Sequence, residues 1–169
     1  MSAAVFGDNV ITINATNKTY AMTGWRLGYL CAPEEICSAA LKIHQYVMMS
    51  APTASQFAAI EALKSGEEAK NAMTAEYRIR RNLFVKGLNE IGLTCHLPQG
   101  AFYAFPSIES TGLSDEEFAE RLLKEQQVAV VPGSAFGPSG KGHVRTCYAV
   151  DREKLMTAVR RIEAFVESL

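Results

Sequence analysis

The stretch NKTYAMTGWRLGY, residues 17–29, sets Lys18 eight positions ahead of Arg26, with Gly24 and Trp25 directly before the arginine. A lysine that forms a Schiff base must lose its proton readily, and burial or a nearby cation provides for that. An arginine offers a planar fork that suits a phosphate group. If the chain reverses direction between the two, both side chains can point into one cleft, and Gly24 lets backbone pass close to a ligand or a partner strand. On spacing alone, charges on an exposed turn between two strands are the simpler reading, because lysines are mostly exposed. The flanks suit a turn between strands in either case. VITINAT, residues 10–16, is β-branched and follows the turn signal Gly7, Asp8, Asn9; WRLGYLCA, residues 25–32, reads as the second strand.

Downstream the pattern turns helical. Pro33 suits a first helical position, Glu34 and Glu35 suit an N-terminal end, and Ile36, Ala40, Ile43 and Val47 recur at helical spacing. Pro52 breaks that run. Thr53 or Ser55 is placed to cap a second helix, whose apolar residues include Phe57, Ile60 and Leu63. After Ser65 and Gly66 a longer charged helix runs from about Glu67 to Ile91. Tyr77, Phe84, Leu88 and Ile91 form its apolar stripe, and Arg78, Arg80, Arg81 and Lys86 mark a solvated face. From Gly92 the elements shorten. LTCHLP and AFYAFPSI are strand candidates around a turn at Pro98, Gln99 and Gly100. Ser114 to Glu117 is a capping box that starts a helix through Phe118, Leu122 and Leu123. VAVVP and GHVRTCYAV are strand candidates, and a last amphipathic helix carries Leu155, Val159, Ile162 and Val166 on one face.

With 169 residues, 48% of them hydrophobic and 21% charged, the chain has the composition of a soluble globular protein. A net charge of -1 gives no electrostatic case for nucleic acid or an anionic membrane surface. No apolar run reaches the length of a membrane span, and MSAAVFGDN lacks the basic start and long apolar stretch of a signal peptide. Cys31, Cys37, Cys95 and Cys147 lack zinc-ligand spacing and read as reduced thiols of a cytoplasmic protein. His44, His96 and His143 form no ligand pair at helical spacing, so no metal is expected. The loop GSAFGPSGKG, residues 133–142, is not a phosphate loop: Ala135 stands where the first glycine belongs, and Gly142 follows Lys141 where Ser or Thr is needed. It reads as a flexible turn that sets Arg145. Phe102, Tyr103, Phe105 and Phe136 read as core residues, with one or two of them bordering a pocket. A charge on an edge strand paired with an acid is the plain alternative for Arg145.

NKTYAMTGWRLGY closely resembles the lysine segment of the class I and II aminotransferases, which are fold-type I pyridoxal-phosphate enzymes. LPQGAFY, residues 97–103, and VVPGSAFGPSGKGHVRTCYAV, residues 130–150, resemble later segments of the same family in the same order. The resemblance implies that Lys18 is the catalytic lysine and carries the cofactor as a Schiff base. It implies that Arg26 binds the cofactor phosphate and that Arg145 binds the substrate α-carboxylate. It also implies pyridoxal 5'-phosphate as cofactor, an amino acid and a 2-oxo acid as substrates, and a homodimeric parent with its active site at the subunit interface. Ala15 fits the small residues that the family often carries before the lysine; Asn17 is less usual there.

The expected fold is α/β, the C-terminal part of the fold-type I pyridoxal-phosphate transferase fold. Residues 1–50 are expected to be a remnant of the cofactor-binding large domain, 51–91 connecting helices, and 92–169 a small α+β domain. The family's phosphate-binding turn, its ring-stacking aromatic and its aspartate for the pyridine nitrogen belong upstream of the lysine, where this sequence has only seventeen positions. Asp8, in a turn, is not given the pyridine role. Two strands alone are marginal in water, which points the same way. The expectation is therefore a C-terminal fragment of an aminotransferase, inactive alone. A carbon–sulfur lyase or decarboxylase on the same scaffold would use the same lysine and arginines, and a non-catalytic α+β interaction module is a further reading.

Overall fold

The computed structural model describes residues 3–7 and 9–169, so Asp8 lies outside it. The chain divides within its longest helix into two compact units, one ending at Met73 and one spanning Thr74–Leu169. Among the described residues no helix is long and apolar enough to cross a membrane.

The first unit is built on an antiparallel pair, β1 (Thr12–Ala15) and β2 (Gly28–Cys31), in the register Thr12 with Cys31 through Ala15 with Gly28. The second strand starts three residues later than the sequence suggests, because Thr23–Trp25 forms a 3-10 turn and Arg26 turns left-handed at φ 54°. Helix α1 (Glu34–Val47) and helix α2 (Thr53–Ser65) follow. The apolar stripe expected on α1 is present but uncovered: α1 has no buried residue, and Ile43 and Val47 are 67% and 70% exposed. On α2 it is Ser55 and Ala59 that are buried, whereas Phe57, Ile60 and Leu63 are exposed. Neither Thr53 nor Ser55 caps α2. Pro52 holds the cap position without a side-chain bond, and the Ser55 hydroxyl donates to the Trp25 carbonyl instead, at 2.6 Å.

The second unit holds the core. Helix α3 (Glu67–Glu90) turns Phe84 and Leu88 inward, with Tyr77 and Ile91 packed at the margin. A three-stranded antiparallel sheet has the order β3-β5-β4, where β3 is Tyr103–Ala104, β4 is Val131–Pro132 and β5 is Val144–Cys147. Helix α4 (Asp115–Gln126) and helix α5 (Arg152–Glu167) meet through Phe118 and Phe165, edge to face with ring centroids 5.3 Å apart. Both are capped as their sequences require. Ser114 accepts from the Glu117 amide at 3.2 Å, and Asp151 accepts from the Lys154 amide at 2.9 Å. Leu155, Val159, Ile162 and Phe165 are buried along α5.

The strand expectations of this unit shrink: AFYAFPSI keeps only Tyr103–Ala104 and GHVRTCYAV only Val144–Cys147, and two others shrink for visible reasons. LTCHLP is not a strand, because its backbone groups are taken elsewhere. The Asn89 side chain bonds both the amide and the carbonyl of Cys95, each at 3.0 Å, and Thr94 accepts from Ser107 at 2.8 Å. VAVVP keeps only its last two residues in the ladder. Gln127, left-handed at φ 56°, closes α4 with bonds to Leu122 and Leu123, and the Val128 amide also points back to Leu122.

The arginines of α3 are not simply solvated. Glu76 takes Arg80 from its own helix at 2.8 Å and Arg152 from the start of α5 at 3.0 Å, while Arg81 donates to the Pro98 carbonyl at 2.9 Å. Bonds from Arg152 and then Arg80 hold the Glu76 carboxyl at about 2, below its ordinary 4.5. A depressed carboxylate stabilises the fold fully above its unfolded value and loses that contribution as pH falls toward the folded one. Unfolding followed between pH 5 and 2 should therefore show a steeper acid loss in the wild type than in Glu76→Gln. Parallel acid limbs would show that Glu76 does not couple the two helices.

Candidate functional site

The pair of Ala15 with Gly28 closes a loop that contains both Lys18 and Arg26. The loop folds tightly at its start. The Tyr20 amide bonds the Thr16 carbonyl at 3.0 Å, and the Met22 amide bonds the Asn17 carbonyl at 2.9 Å, so Lys18 sits on a helical-type turn. Two non-glycine residues, Ala21 and Arg26, are left-handed at φ 54°. Each such residue costs about 1–2 kcal/mol, and strain of this kind persists only where the surroundings enforce it. The surroundings here are Met22, which is buried, the Ser55 bond to Trp25, and the Tyr20 ring against Gly66. A Cβ at Gly66 would stand 2.9 Å from Tyr20 Cε1, so only glycine leaves the ring its place.

Lys18 is exposed on this loop. Arg26 is also exposed. One of its amino groups donates to the Thr23 carbonyl at 3.2 Å, and among the described residues it meets no carboxylate. Thr16 is 3% exposed, and its hydroxyl has no hydrogen-bond partner among the described residues. Nothing in the composition of residues 14–17 singles it out from Ala15 and Asn17; its burial follows from the turn that starts at its own carbonyl.

Arg145 lies in the second unit on β5, the central strand, opposite Val131. It is therefore not an edge-strand charge, and among the described residues it has no acidic partner. Its guanidinium carbon lies over the ring of Tyr103 at 4.5 Å and over that of Phe136 at 4.6 Å. The aromatics expected in the core are mostly outside it: Tyr103, Phe105 and Phe136 are 36%, 39% and 50% exposed, and only Phe102 packs against the core. The loop from β4 to β5 is a folded pair of 3-10 turns, Gly133–Phe136 and Pro138–Gly140, rather than an open flexible turn. A Cβ on Gly133 would fall 2.0 Å from the Gly140 carbonyl oxygen, so the two backbones meet in a way that only glycine permits. The Asp115 carboxylate accepts from the Ser134 amide at 2.7 Å, and the Ser134 hydroxyl, followed by that amide, holds its carboxyl below the ordinary range. A cleft of about 730 Å³ between Val128, Val130, Thr146 and α5 is lined by none of the three candidate residues.

A model of the class I and II aminotransferases matches residues 4–162. The chain belongs to this family. It is 56% identical over 159 residues to a putative aminotransferase, YugH, of Bacillus subtilis, covering 94% of this chain and 41% of that protein. It is 45% identical over 163 residues to an aspartate aminotransferase of Pyrococcus horikoshii, covering 95% of this chain and 42% of the relative. The structure superposes on the crystal structure of an aromatic aminotransferase from Pyrococcus horikoshii with a TM-score of 0.91 at 47% identity, over 95% of this chain and 44% of that one. The chain thus spans about two-fifths of the length of the curated relatives it matches, and its α/β fold is the corresponding part of the aminotransferase fold.

Family members are generally pyridoxal-phosphate-dependent, and the residues present fit such a group. One loop offers a primary amine at Lys18 and, among the described residues, a guanidinium at Arg26 that meets no carboxylate and a buried hydroxyl at Thr16 that has no hydrogen-bond partner. That is a donor set for an aldehyde and a phosphate. A buried hydroxyl left unbonded costs about 1–3 kcal/mol. Thr16→Val keeps the shape and removes the hydroxyl, so it should raise the stability of the cofactor-free chain by about 1 kcal/mol in denaturant unfolding. A loss of stability instead would mean that the hydroxyl is already satisfied.

Proposed function

We propose that this chain is the lysine-bearing, C-terminal part of a pyridoxal-phosphate-dependent aminotransferase that moves an amino group between an amino acid and a 2-oxo acid. In this reading residues 1–50 are a remnant of the cofactor-binding large domain, 51–91 the connecting helices and 92–169 the small domain. The parent is a cytoplasmic homodimer. What carries the reading is that Lys18 and Arg26 share one strained, closed loop in a chain of this family.

Lys18 would hold the cofactor through its amine, and Arg26 would anchor the phosphate. The cofactor, when bound, supplies the electron sink for chemistry at the substrate α-carbon. Lys18 Nζ would take the proton from the substrate α-carbon as general base and, as general acid, deliver it away from that carbon rather than back to it. Arg145 would bind the substrate α-carboxylate and so restrict how the α-carbon is held. The relatives carry different substrate names, among them aspartate and aromatic amino acids, while Lys18 and Arg145 would serve the α-carbon and α-carboxylate common to all amino acids and Arg26 the cofactor.

The 169-residue chain alone should bind the cofactor weakly and turn over no amino acid. Borohydride reduction in the presence of pyridoxal phosphate, followed by peptide mapping, should place the label on Lys18 ahead of the other lysines, and Lys18→Ala should remove it. Label spread evenly over the lysines would overturn the role of Lys18. Steady transamination by the chain alone would overturn its inactivity.

A further inference from the structure

We propose that Tyr103 and Phe136 are positioning residues that hold the Arg145 guanidinium as a ready carboxylate receptor within the second unit. The proposal rests on the reading of Arg145 as the carboxylate-binding arginine and adds how this fold keeps that arginine available.

The arginines around it show the alternative. Arg80 and Arg152 are bound to Glu76, Arg121 to Glu125, Arg81 to the Pro98 carbonyl and Arg161 to the Gln126 carbonyl. Each is held by an oxygen that also uses up its N–H donors or its charge. Arg80 and Arg121 also lie over one ring each, Tyr77 at 5.6 Å and Phe165 at 5.4 Å, but both are paired with a carboxylate. Arg145 is held by two ring faces, at 4.5 and 4.6 Å, and by no carboxylate among the described residues. A ring quadrupole attracts the cation but supplies no strong acceptor, so it restrains the side chain and leaves the N–H fork for an incoming anion. An aspartate in the same place would restrain it equally and block it.

Both rings are placed by features that the core does not require. Tyr103 stands on β3 diagonally across from Arg145 on β5, since Tyr103 pairs with Cys147. Tyr103 also leans on Phe102, with ring centroids 4.7 Å apart. Phe136 ends the first turn of the glycine-closed loop and meets Phe105 edge to face at 6.2 Å, and Phe105 stacks on His143 at 5.3 Å. Rings that served packing alone would be buried, yet Phe136 is half exposed.

The test uses the whole 169-residue chain labelled with ¹⁵N-arginine, with the Arg145 Nε–Hε signal assigned by its loss in Arg145→Lys. The probe is succinate, against sodium chloride at matched ionic strength. In the wild type the signal should lie apart from other arginines through ring currents, and it should shift saturably with succinate only. Tyr103→Leu and Phe136→Leu should each weaken binding roughly two- to fivefold and return the free signal toward the others. Tyr103→Phe and Phe136→Tyr keep the rings and should bind as the wild type does, with backbone amide spectra confirming the fold throughout. Undiminished binding in both leucine variants, or weakened binding in the ring-keeping ones, would overturn the positioning role and leave the reading of Arg145 intact. No saturable shift in the wild type would overturn that reading, and the proposal with it.

Discussion

The backbone of β5 is bonded on both sides, to β3 and to β4, and strand geometry then forces its side chains to alternate. Val144, Thr146 and, beyond the strand end, Tyr148 are buried. Arg145 and Cys147 must therefore face the other way. The charge at Arg145 is carried by the central strand, where the register cannot slip by one residue without putting a guanidinium into the core. The Thr146 hydroxyl, bonded to the Ala104 carbonyl at 3.1 Å, and the Tyr148 hydroxyl, bonded to Ala101 at 3.0 Å, pin that register further. Every feature around Arg145, from Tyr103 on one side to the glycine-closed loop on the other, depends on this pairing.

The helices were legible in the sequence because their signals are local. Ser114 and Glu117, and the stripe through Leu155, Val159 and Ile162, each name an element or its buried face within a few residues. The short strands were less legible, because what ended them was distant or came from a side chain. Asn89, six residues before Cys95, takes the bonds that a ladder would have used. The stripe on α1 is apolar as its spacing implies and yet uncovered, since periodicity reports which face would be buried and not whether anything lies against it. The roles proposed for Lys18, Arg26 and Arg145 come from a resemblance carried by long strings of residues. The aromatics at 103, 105 and 136 were misplaced because hydrophobicity alone does not separate a ring in a core from a ring over a cation. Thr16 could not be singled out at all, since its lack of a partner is a property of the folded turn.

The two units differ in how they are held. Residues 74–169 have a continuous core from Phe84 to Phe165, with the helix caps satisfied and α3 tied to α5 through Glu76. In the first unit the buried set is small and partly polar, Thr16, Met22, Ser55 and Ala59, while Phe57, Tyr46 and Met49 are largely exposed. Exposed apolar surface on this scale marks interaction surfaces in soluble proteins. Stability in this chain is therefore uneven, and the loop that carries Lys18 belongs to the part with the smaller core.

The close approach of Gly133 and Gly140 has a consequence for how this segment can vary. The bond from the Gly133 amide to the His143 carbonyl, at 2.8 Å, fixes where β4 meets β5, and the glycine contact shuts the loop above it. Residues 134–139 are thereby closed off by backbone contacts, while the Phe136 ring still lies over Arg145 at 4.6 Å. The side chains that this segment holds near Arg145 can therefore change without altering the pairing of the strand that carries it.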